Sequence, residues 1–412
     1  MTTTKNEYPD VSSLVDEKPP GEGVVAEADV TRDGYHPSLS DRLKTGWGRR
    51  IILAIAVGVL IAGPDLIGDP TRTRQWAEYL CYATVAVGLD LAWGYGGMLA
   101  LGQGVFFGLG AYSMGMYLSL EQVEPGQLPQ FMSLYGDNDK LPLLWRPFEH
   151  LWFAGVAAVV VPALVAGLVG WLVFHRRIRG AYFALLTQAT ALVFWLLLIG
   201  QLKLTAGTNG LTNFSEVFGH NKYDPSTPEF LYYLAAGALL VALVVARHTV
   251  NSRYGKLLVA TRDGEDRVQF LGYDPAKAKT IAFALAAGMA GLAGALSAPI
   301  IGIVAPDQFA VLPSILMIGW VAVGGRATIY GPMIGALLVG VLKTRVSESH
   351  PENWQYFQGL LFIVVVGFFP GGLAGIWRKL SGAVSARLPA RGGSADEPSR
   401  APQTLATSEV AS

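Results

Sequence analysis

Several signatures of soluble and nucleic-acid-binding proteins are missing from this sequence. Only 15% of the 412 residues are charged, against roughly 25% in an ordinary soluble domain. Basic and acidic residues balance at 31 each, so no basic excess indicates nucleic-acid binding. Cys81 is the only cysteine, which excludes a disulfide framework within the chain. The low charge, together with a hydrophobic content of 51%, indicates a membrane protein.

Motifs of nucleotide-binding and hydrolytic enzymes are also missing. The sequence has no G-x-x-x-x-G-K-[ST] phosphate loop, and it has neither a G-x-S-x-G elbow nor an H-E-x-x-H zinc motif. The six histidines are scattered without the spacing of metal ligands. We therefore predict that the chain is not an enzyme, and that it holds neither a metal ion nor a cofactor of its own.

Long apolar runs predict an all-α polytopic membrane protein with about ten transmembrane helices. A helix crosses the hydrocarbon layer with roughly 20 residues, or with fewer where it is broken. The eighth and ninth runs are short and flank glycines, so we expect half-helices that bury irregular backbone inside the bundle. The predicted spans are 51–67, 77–95, 99–119, 151–174, 181–200, 230–247, 278–300, 311–323, 331–345 and 355–371.

The placement of lysine and arginine predicts that both termini are cytoplasmic. Arg49 and Arg50 precede the first span, and basic clusters recur in the connections that the span count places inside. The 120–150 connection falls outside and is acidic. Four basic residues depart from the rule: Arg72, Arg74, Lys343 and Arg345.

Composition divides the chain into three parts. Residues 1–48 and 380–412 are polar and rich in small or turn-forming residues, which predicts a disordered cytoplasmic extension and a disordered cytoplasmic tail. Residues 49–379 form the predicted transmembrane domain. No cleavable signal is visible, and the first apolar run, from Ile51, is predicted to be an uncleaved membrane anchor.

A charged segment at residues 252–279 lies between two strongly apolar runs. Apolar residues spaced by three or four predict one face of a helix: Leu257, Ala260, Gly264, Val268 and Leu271. Opposite charges four residues apart can pair on the polar side: Arg262 with Asp266, and Asp263 with Arg267. An amphipathic cytoplasmic helix of this kind suits docking to a soluble partner. The alternative is a solvated loop whose ion pairs are incidental.

Polar residues inside the apolar runs are candidates for a solute path. A charge inside the bilayer costs at least about 2.5 kcal/mol, so Asp90 suggests a function, or a hydrogen bond to a neighbouring helix close to the cytoplasmic end of its span. Gln103, Thr187 and Gln188 suit a pore for an uncharged polar solute, and hydrogen bonds between helices explain them equally well. Asn209 lies in a polar stretch at 208–213, which either lines an entrance or forms a turn.

Glycines recur at residues 102–110 without forming the dinucleotide-binding fingerprint. Gly104 and Gly108 lie four residues apart within an apolar span. We interpret them as a close helix–helix contact, and the alternative is contact with a ligand.

Several stretches of the sequence resemble the permease subunits of branched-chain amino acid ABC importers. The likeness runs from about residue 80 to residue 370. It rests on 101–112 (LGQGVFFGLGAY), 179–187 (RGAYFALLT), 252–267 (SRYGKLLVATRDGEDR), 283–296 (FALAAGMAGLAGAL) and the glycines of 324–325 and 330–332 (GG, YGP).

The resemblance implies a complex in the inner membrane of a bacterium. A second homologous permease subunit would complete the pore amid membrane lipid, two ATPase subunits would bind ATP and Mg, and an external solute-binding protein would deliver the solute. No nucleic acid is expected as a partner. Residues 252–274 would be the coupling segment, with the ATPase contact at Gly255, Arg262, Asp263, Glu265 and Arg267.

Within this family, the sequence is most similar to urea permease subunits of the UrtC type. The stretches concerned are 88–95 (GLDLAWGY), 112–118 (YSMGMYL), 128–132 (LPQFM) and 186–189 (LTQA). The wider family usually has Asn, His and Leu where this chain has Asp90, Gln103 and Gln188. Urea is uncharged and offers four N–H donors, so side-chain oxygens suit it. We expect urea or a short amide as the solute, passing Asp90, Gln103, Thr187, Gln188 and Asn209.

Two other functions are compatible with the sequence. A branched-chain amino acid permease shares the scaffold motifs and differs in the polar substitutions just named. A stand-alone secondary transporter or channel would need no ATPase, and inverted internal repeats would favour it, although none is evident.

Overall fold

A computed structural model describes residues 58, 62–123, 127–135, 141–222, 224–368 and 371–375. The predicted extension 1–48 and tail 380–412 lie outside the described residues, and so does most of the first predicted span, 51–67. The other predicted spans and the coupling segment lie within the described part, except for residues 369–370 of the last span.

The described part is predominantly helical, which confirms the all-α prediction. The helices are α1 (Gly63–Ile67), α2 (Pro70–Asp90), α3 (Gln103–Glu121), α4 (Gln130–Tyr135), α5 (Leu151–His175), α6 (Ala181–Gly200), α7 (Leu202–Thr205), α8 (Ser226–Asn251), α9 (Arg253–Asp263), α10 (Glu265–Phe270), α11 (Pro275–Ile301), α12 (Val311–Gly324), α13 (Gly331–Ser349) and α14 (Trp354–Phe368).

Short irregular elements join these helices. A π-helix, Leu91–Tyr95, continues α2, and 3₁₀ turns lie at Arg146–Glu149, Gly207–Asn209 and Pro306–Phe309. Two antiparallel strands of two residues each, β1 (Glu216–Val217) and β2 (His220–Asn221), precede α8.

Four described helices are long and apolar enough to cross a membrane: α5, α6, α11 and, from Thr227, α8. Helix α2 has 21 residues but carries polar residues in its first turns. It begins at Pro70, seven residues before the predicted span, because Asp69 caps it by accepting the Thr71 N–H at 3.0 Å. Hydropathy alone did not predict residues 70–76 as part of the helix, because these residues are mostly polar.

Helix α11 forms the centre of the bundle, packed against α2, α3 and α5. Where α3 crosses α11, a Cβ on Gly110 would lie 2.0 Å from the Gly291 carbonyl oxygen, and one on Gly294 would lie 1.9 Å from that of Phe107. Only glycine permits so close an approach of two backbones. The predicted pair Gly104 and Gly108 packs instead on the 3₁₀ turn, against Gln308 and Phe309.

The ends of the helices lie in two groups at opposite ends of the bundle, as expected if successive spans cross the membrane in opposite directions. At one end Arg179 contacts Asp266 and Asp90 contacts Ala327. At the other, Leu211 pairs with Val304 and Arg74 bonds to the Ile300 carbonyl. The first group carries the basic connections, so we treat it as the cytoplasmic end.

Two short half-helices were predicted, and only α12 is short enough to be one. Helix α12 has 14 residues and spans roughly 21 Å, which is short of the hydrocarbon thickness. Helix α13 has 19 residues and extends to Ser349, so it is close to a full span. The predicted end at residue 345 was too early because the last turn of α13 is polar.

Candidate functional site

The coupling segment forms two helices, α9 and α10, rather than the single helix that its periodicity predicted. Ser252 caps α9 by accepting the Gly255 N–H at 3.2 Å. A Cβ on Gly255 would lie 2.3 Å from the Val250 carbonyl oxygen, so glycine permits the tight turn after α8. At Gly264 the backbone leaves the helical region, with φ −169° and ψ 77°, and α10 starts at the next residue.

The residues of α9 and α10 that face the bundle differ in part from those predicted. Leu258, Thr261 and Val268 are buried, whereas Ala260 and Leu271 are exposed. The predicted apolar face is therefore right for Val268 and wrong for Ala260 and Leu271. In α9 the buried positions lie one residue later than predicted, and Leu271 is exposed because it lies past the end of α10.

An ion network with a largely buried centre, Glu265 and Lys279, ties α10 to the transmembrane helices. Glu265 Oε2 lies 2.5 Å from Lys279 Nζ, at the start of α11, and 3.1 Å from Arg179 Nε, in the α5–α6 connection. The side chains of Lys279 and Glu265 are only 10% and 15% exposed. Arg179 Nη2 also binds Asp266 Oδ1 at 3.1 Å. Movement of α10 must therefore displace the central helix or break this network.

The charge pairs predicted at a spacing of four residues are not those that the structure forms. Asp266 pairs with Arg179, and Arg262 Nε pairs with Asp263 Oδ1 at 2.8 Å. The Arg262 guanidinium hydrogen bond holds the pKa of the exposed Asp263 carboxyl below its usual value. The break at Gly264 separates the two halves, so the geometry that brings residues four apart together is lost.

Arg262 reaches inward from α9 to the end of α2. Its Nη1 donates to the Gly94 carbonyl at 2.6 Å, and Gly94 belongs to the π-helix that continues α2. One guanidinium therefore spans the coupling segment and a transmembrane helix. Arg262 was predicted as an ATPase contact. In the structure its Nη1 and Nε bind Gly94 and Asp263 of the same chain.

Asp90, at the same end of α2, binds the turn between α12 and α13. Its side chain is 2% exposed, and Oδ1 accepts the Ala327 N–H at 2.8 Å. Oδ2 is buried without a hydrogen-bond partner among the described residues. The Arg326 guanidinium lies over the Trp93 ring at 4.9 Å. These contacts join the π-helix to the 325–330 turn.

The other predicted path residues are spread through the bundle. Gln103 is buried and donates from Nε2 to the Ala286 carbonyl at 3.2 Å. Thr187 is buried, accepting the Leu101 N–H at 3.0 Å and donating to the Ala184 carbonyl at 2.9 Å. Gln188 is half-buried and Asn209 is exposed at the outer end. The structure does not gather the five residues around one cavity, and their contact with a solute stays a prediction.

Exposed apolar side chains follow α10 at the tip of the coupling segment. Phe270 is 91% exposed and Leu271 is 75% exposed, and Tyr273 is also exposed. We call these three residues the apolar tip. Sequence reasoning missed it because it assigned Leu271 to the buried face. The signal available was the clustering of large apolar residues around Gly272, within an otherwise charged connection.

A polar cavity of about 350 Å³ lies at the opposite, outer end. Its lining comes from the end of α3 (Ser119, Gln122), the 129–131 stretch and the loop that contains Asn209 and Asn213. The 208–213 stretch thus begins with a 3₁₀ turn and lines this cavity. Among the described residues, no group of His, Cys, Asp and Glu could hold a metal ion.

Comparison with known proteins assigns the chain to a family. Residues 77–366 match the family described as "Branched-chain amino acid transport system / permease component". No solved structure matches the chain significantly.

Curated relatives include permeases of one transport system. The chain is 26% identical to the high-affinity branched-chain amino acid transport system permease protein LivM of Salmonella typhimurium over 310 residues, which are 70% of this chain and 66% of that protein. It is 26% identical to LivM of Escherichia coli over 341 residues (77% and 73%). It is 22% identical to LivH of Escherichia coli over 304 residues (71% and 91%).

The chain thus resembles two distinct permease proteins of the same system in Escherichia coli. The family match covers well over half of the chain, and the described helices suit a protein that crosses the membrane several times. The protein belongs to the branched-chain amino acid transport system permease family.

Proposed function

We propose that the chain is one permease subunit of an ATP-driven importer in a bacterial inner membrane. It would form half of the pore beside a second permease subunit, with two ATPase subunits inside and a solute-binding protein outside. The observation that carries this proposal is the coupling segment, because α9 and α10 are anchored to α2 and α11 while their tip is exposed. Such an element offers a separate ATPase both a surface to bind and a connection through which it can move the bundle.

The apolar tip is the proposed ATPase contact. Large exposed apolar side chains at a helix end are typical of a docking site, and aromatic residues commonly dominate the binding energy of interfaces. The exposed carboxylates of Asp263 and Asp266 precede the tip along the chain. They would meet basic residues of the ATPase and set its orientation.

Two separate links would transmit the movement of the ATPases. A push on α10 acts on α11 through the Glu265–Lys279 pair and on the α5–α6 connection through Arg179. A shift of α9 acts on α2 through the bond from Arg262 to Gly94. Since α2 and α11 pack against each other, both links converge on the centre of the bundle and would tilt it between outward-open and inward-open states.

Urea, or another short amide, is the proposed solute. The support is the similarity of four stretches to urea permeases, together with the substitutions that give Asp90, Gln103 and Gln188. The second candidate is a branched-chain amino acid, which is favoured by the names of the LivM and LivH relatives.

Uptake of radiolabelled solutes tests both the ATP-driven mechanism and the identity of the solute. The purified complex of both permeases and the ATPases is reconstituted in vesicles with the binding protein, and uptake of urea, acetamide and leucine is compared with and without ATP. The proposal expects ATP-dependent urea uptake that excess leucine does not inhibit. Uptake of leucine alone would select the second candidate, and uptake by this chain alone without ATP would replace the importer by a channel or secondary transporter.

A further inference from the structure

A polar cavity of about 440 Å³ lies at the cytoplasmic end, between the α5–α6 connection and the segment that joins α10 to α11. We call it the cytoplasmic cavity. Its charged and ionisable lining consists of His175, Arg177 and Arg179 on one side and Glu265 and Asp274 on the other. Its volume is in the range of sites for small ligands. The connection that borders it, residues 176–180, contains three arginines and no acidic residue.

Both carboxylates of the cytoplasmic cavity are already engaged. Glu265 binds Lys279 and Arg179. Asp274 caps α11, because its Oδ1 accepts two backbone N–H groups at the start of that helix, and its Oδ2 lies 3.6 Å from Lys277 Nζ. These two acidic groups therefore do not neutralise the remaining cations of the α5–α6 connection.

Two of the arginines in the connection have no such partner. The guanidinium groups of Arg176 and Arg177 form neither a hydrogen bond nor an ion pair with another described residue, and both side chains are exposed. A guanidinium is always charged, and its N–H groups match the oxygens of a phosphate. Since Arg177 also lines the cavity, it offers an accessible, unpaired cation to an anionic ligand.

Tryptophans place this cavity at the surface of the membrane. Trp152 and Trp171 are 69% and 56% exposed, near the two ends of α5, and no polar residue lies between them in the sequence. Their separation along the helix is roughly 29 Å, close to the thickness of the hydrocarbon layer, as expected for aromatic residues at the two membrane–water interfaces. Trp171 stacks on His175 with ring centroids 5.9 Å apart. The cavity therefore lies at the level of the lipid head groups.

We propose that the cytoplasmic cavity binds the head-group phosphate of an anionic phospholipid from the cytoplasmic leaflet, with Arg177 as the principal cation and Arg179 and His175 beside it. Basic pockets at this depth suit anionic head groups, and the acyl chains would lie along the exposed apolar side of α5. Because Arg179 also binds Glu265, the lipid would act on the coupling segment. This site is separate from the solute path, and it is the same whether the solute is urea or an amino acid.

Native mass spectrometry of the purified complex, with the partner permease and the ATPases, tests the site by counting bound lipids. The complex is titrated with phosphatidylglycerol and, separately, with phosphatidylcholine of the same acyl chains. Arg177→Gln should weaken the binding of one phosphatidylglycerol per copy of this chain about fivefold. Its binding of phosphatidylcholine should not change, because that head group carries no net charge.

Two further variants show whether the charge at this position matters. Arg177→Lys keeps the charge and should retain most of the affinity for phosphatidylglycerol. Arg253→Gln removes another exposed arginine, at the start of α9 and outside the cavity, and should bind the lipid as the wild type does. Equal losses in Arg177→Gln and Arg253→Gln would indicate a diffuse attraction to the basic surface and overturn the site.

Unchanged binding by Arg177→Gln also overturns the site. If the wild-type complex binds the additional phosphatidylglycerol only after the ATPases have been removed, the ATPases cover the cavity and the lipid assignment is wrong. Excess inorganic phosphate should not displace the lipid, since it lacks the contact of the acyl chains with α5. Displacement would identify a free phosphate as the ligand and overturn the assignment to a lipid.

Thermal unfolding supplies a second measurement. A ligand that binds only the folded complex raises its unfolding temperature, so phosphatidylglycerol should raise that of the wild type more than that of Arg177→Gln. Equal unfolding temperatures of the two without lipid would show that the variant folds, as expected for an exposed side chain. Equal increases in both on addition of phosphatidylglycerol would contradict the site.

Discussion

Arg262 donates from Nη1 to the carbonyl oxygen of Gly94 at 2.6 Å, and so joins the coupling segment to the end of α2. The acceptor lies in a π-helix, an irregularity that is common at functional sites and leaves backbone groups open to side-chain donors. A guanidinium is always charged and presents several donors in fixed directions. It binds the carbonyl with Nη1 and Asp263 with Nε at the same time. This bond connects the coupling segment directly to the end of a transmembrane helix.

Loss of the Arg262 link should uncouple transport from ATP hydrolysis. Arg262→Gln shortens the side chain and removes its charge, so we expect ATP-driven uptake to fall at least tenfold while the ATPases still co-purify and hydrolyse ATP. Uptake and ATPase activity are measured on the same vesicles. Arg253→Gln, on the exposed start of α9, is the matched control and should leave both unchanged. Normal uptake by Arg262→Gln would show that α9 does not act through Gly94.

The Glu265–Lys279 pair should stabilise the protein measurably. Removing one partner of a buried ion pair costs about 3 kcal/mol, because the other charge stays buried. We therefore expect Glu265→Gln to lower the thermal unfolding temperature of the purified complex clearly. The double variant Glu265→Gln with Lys279→Met should recover part of the loss, since it removes both charges. Equal destabilisation by the single and double variants would contradict the pairing.

The apolar tip should be required for ATPase binding. Phe270→Ser removes an exposed ring, so folding is expected to persist while co-purification of the ATPases falls severalfold. Tyr182→Ser is the control, because Tyr182 is an exposed aromatic at the start of α6 and outside the coupling segment. Retention of the ATPases by Phe270→Ser would place the docking surface elsewhere, on the charged residues that the sequence resemblance indicated.

Two substitutions of Asp90 separate a packing role from a role in the solute path. Asp90→Asn keeps an acceptor for the Ala327 N–H, and Asp90→Leu removes it, which should cost about 2 kcal/mol of stability. We expect Asp90→Leu to reduce both thermal stability and uptake, and Asp90→Asn to retain most of both. If Asp90→Asn instead changed the affinity for urea at full stability, the carboxylate would have to contact the solute.

The helical class and the position of the coupling segment followed from local pattern, because apolar runs and charged connections are visible residue by residue. The break at Gly264 did not follow. Leu257, Ala260, Val268 and Leu271 fit one helical face, and nothing local reveals that α10 turns away to reach Lys279 and Arg179. Likewise Asp90 stood out as a buried charge, but its partner Ala327 lies 237 residues away.

Composition and periodicity alone predicted an all-helical membrane protein with a charged segment between two spans, since burial in lipid requires apolar helices whose backbone bonds are satisfied internally. The partners of Glu265, Arg262 and Asp90 and the exposure of Phe270 depended on the folded chain. Each arises where helices distant in sequence cross. Such contacts are set by packing geometry, which no local pattern of residues encodes.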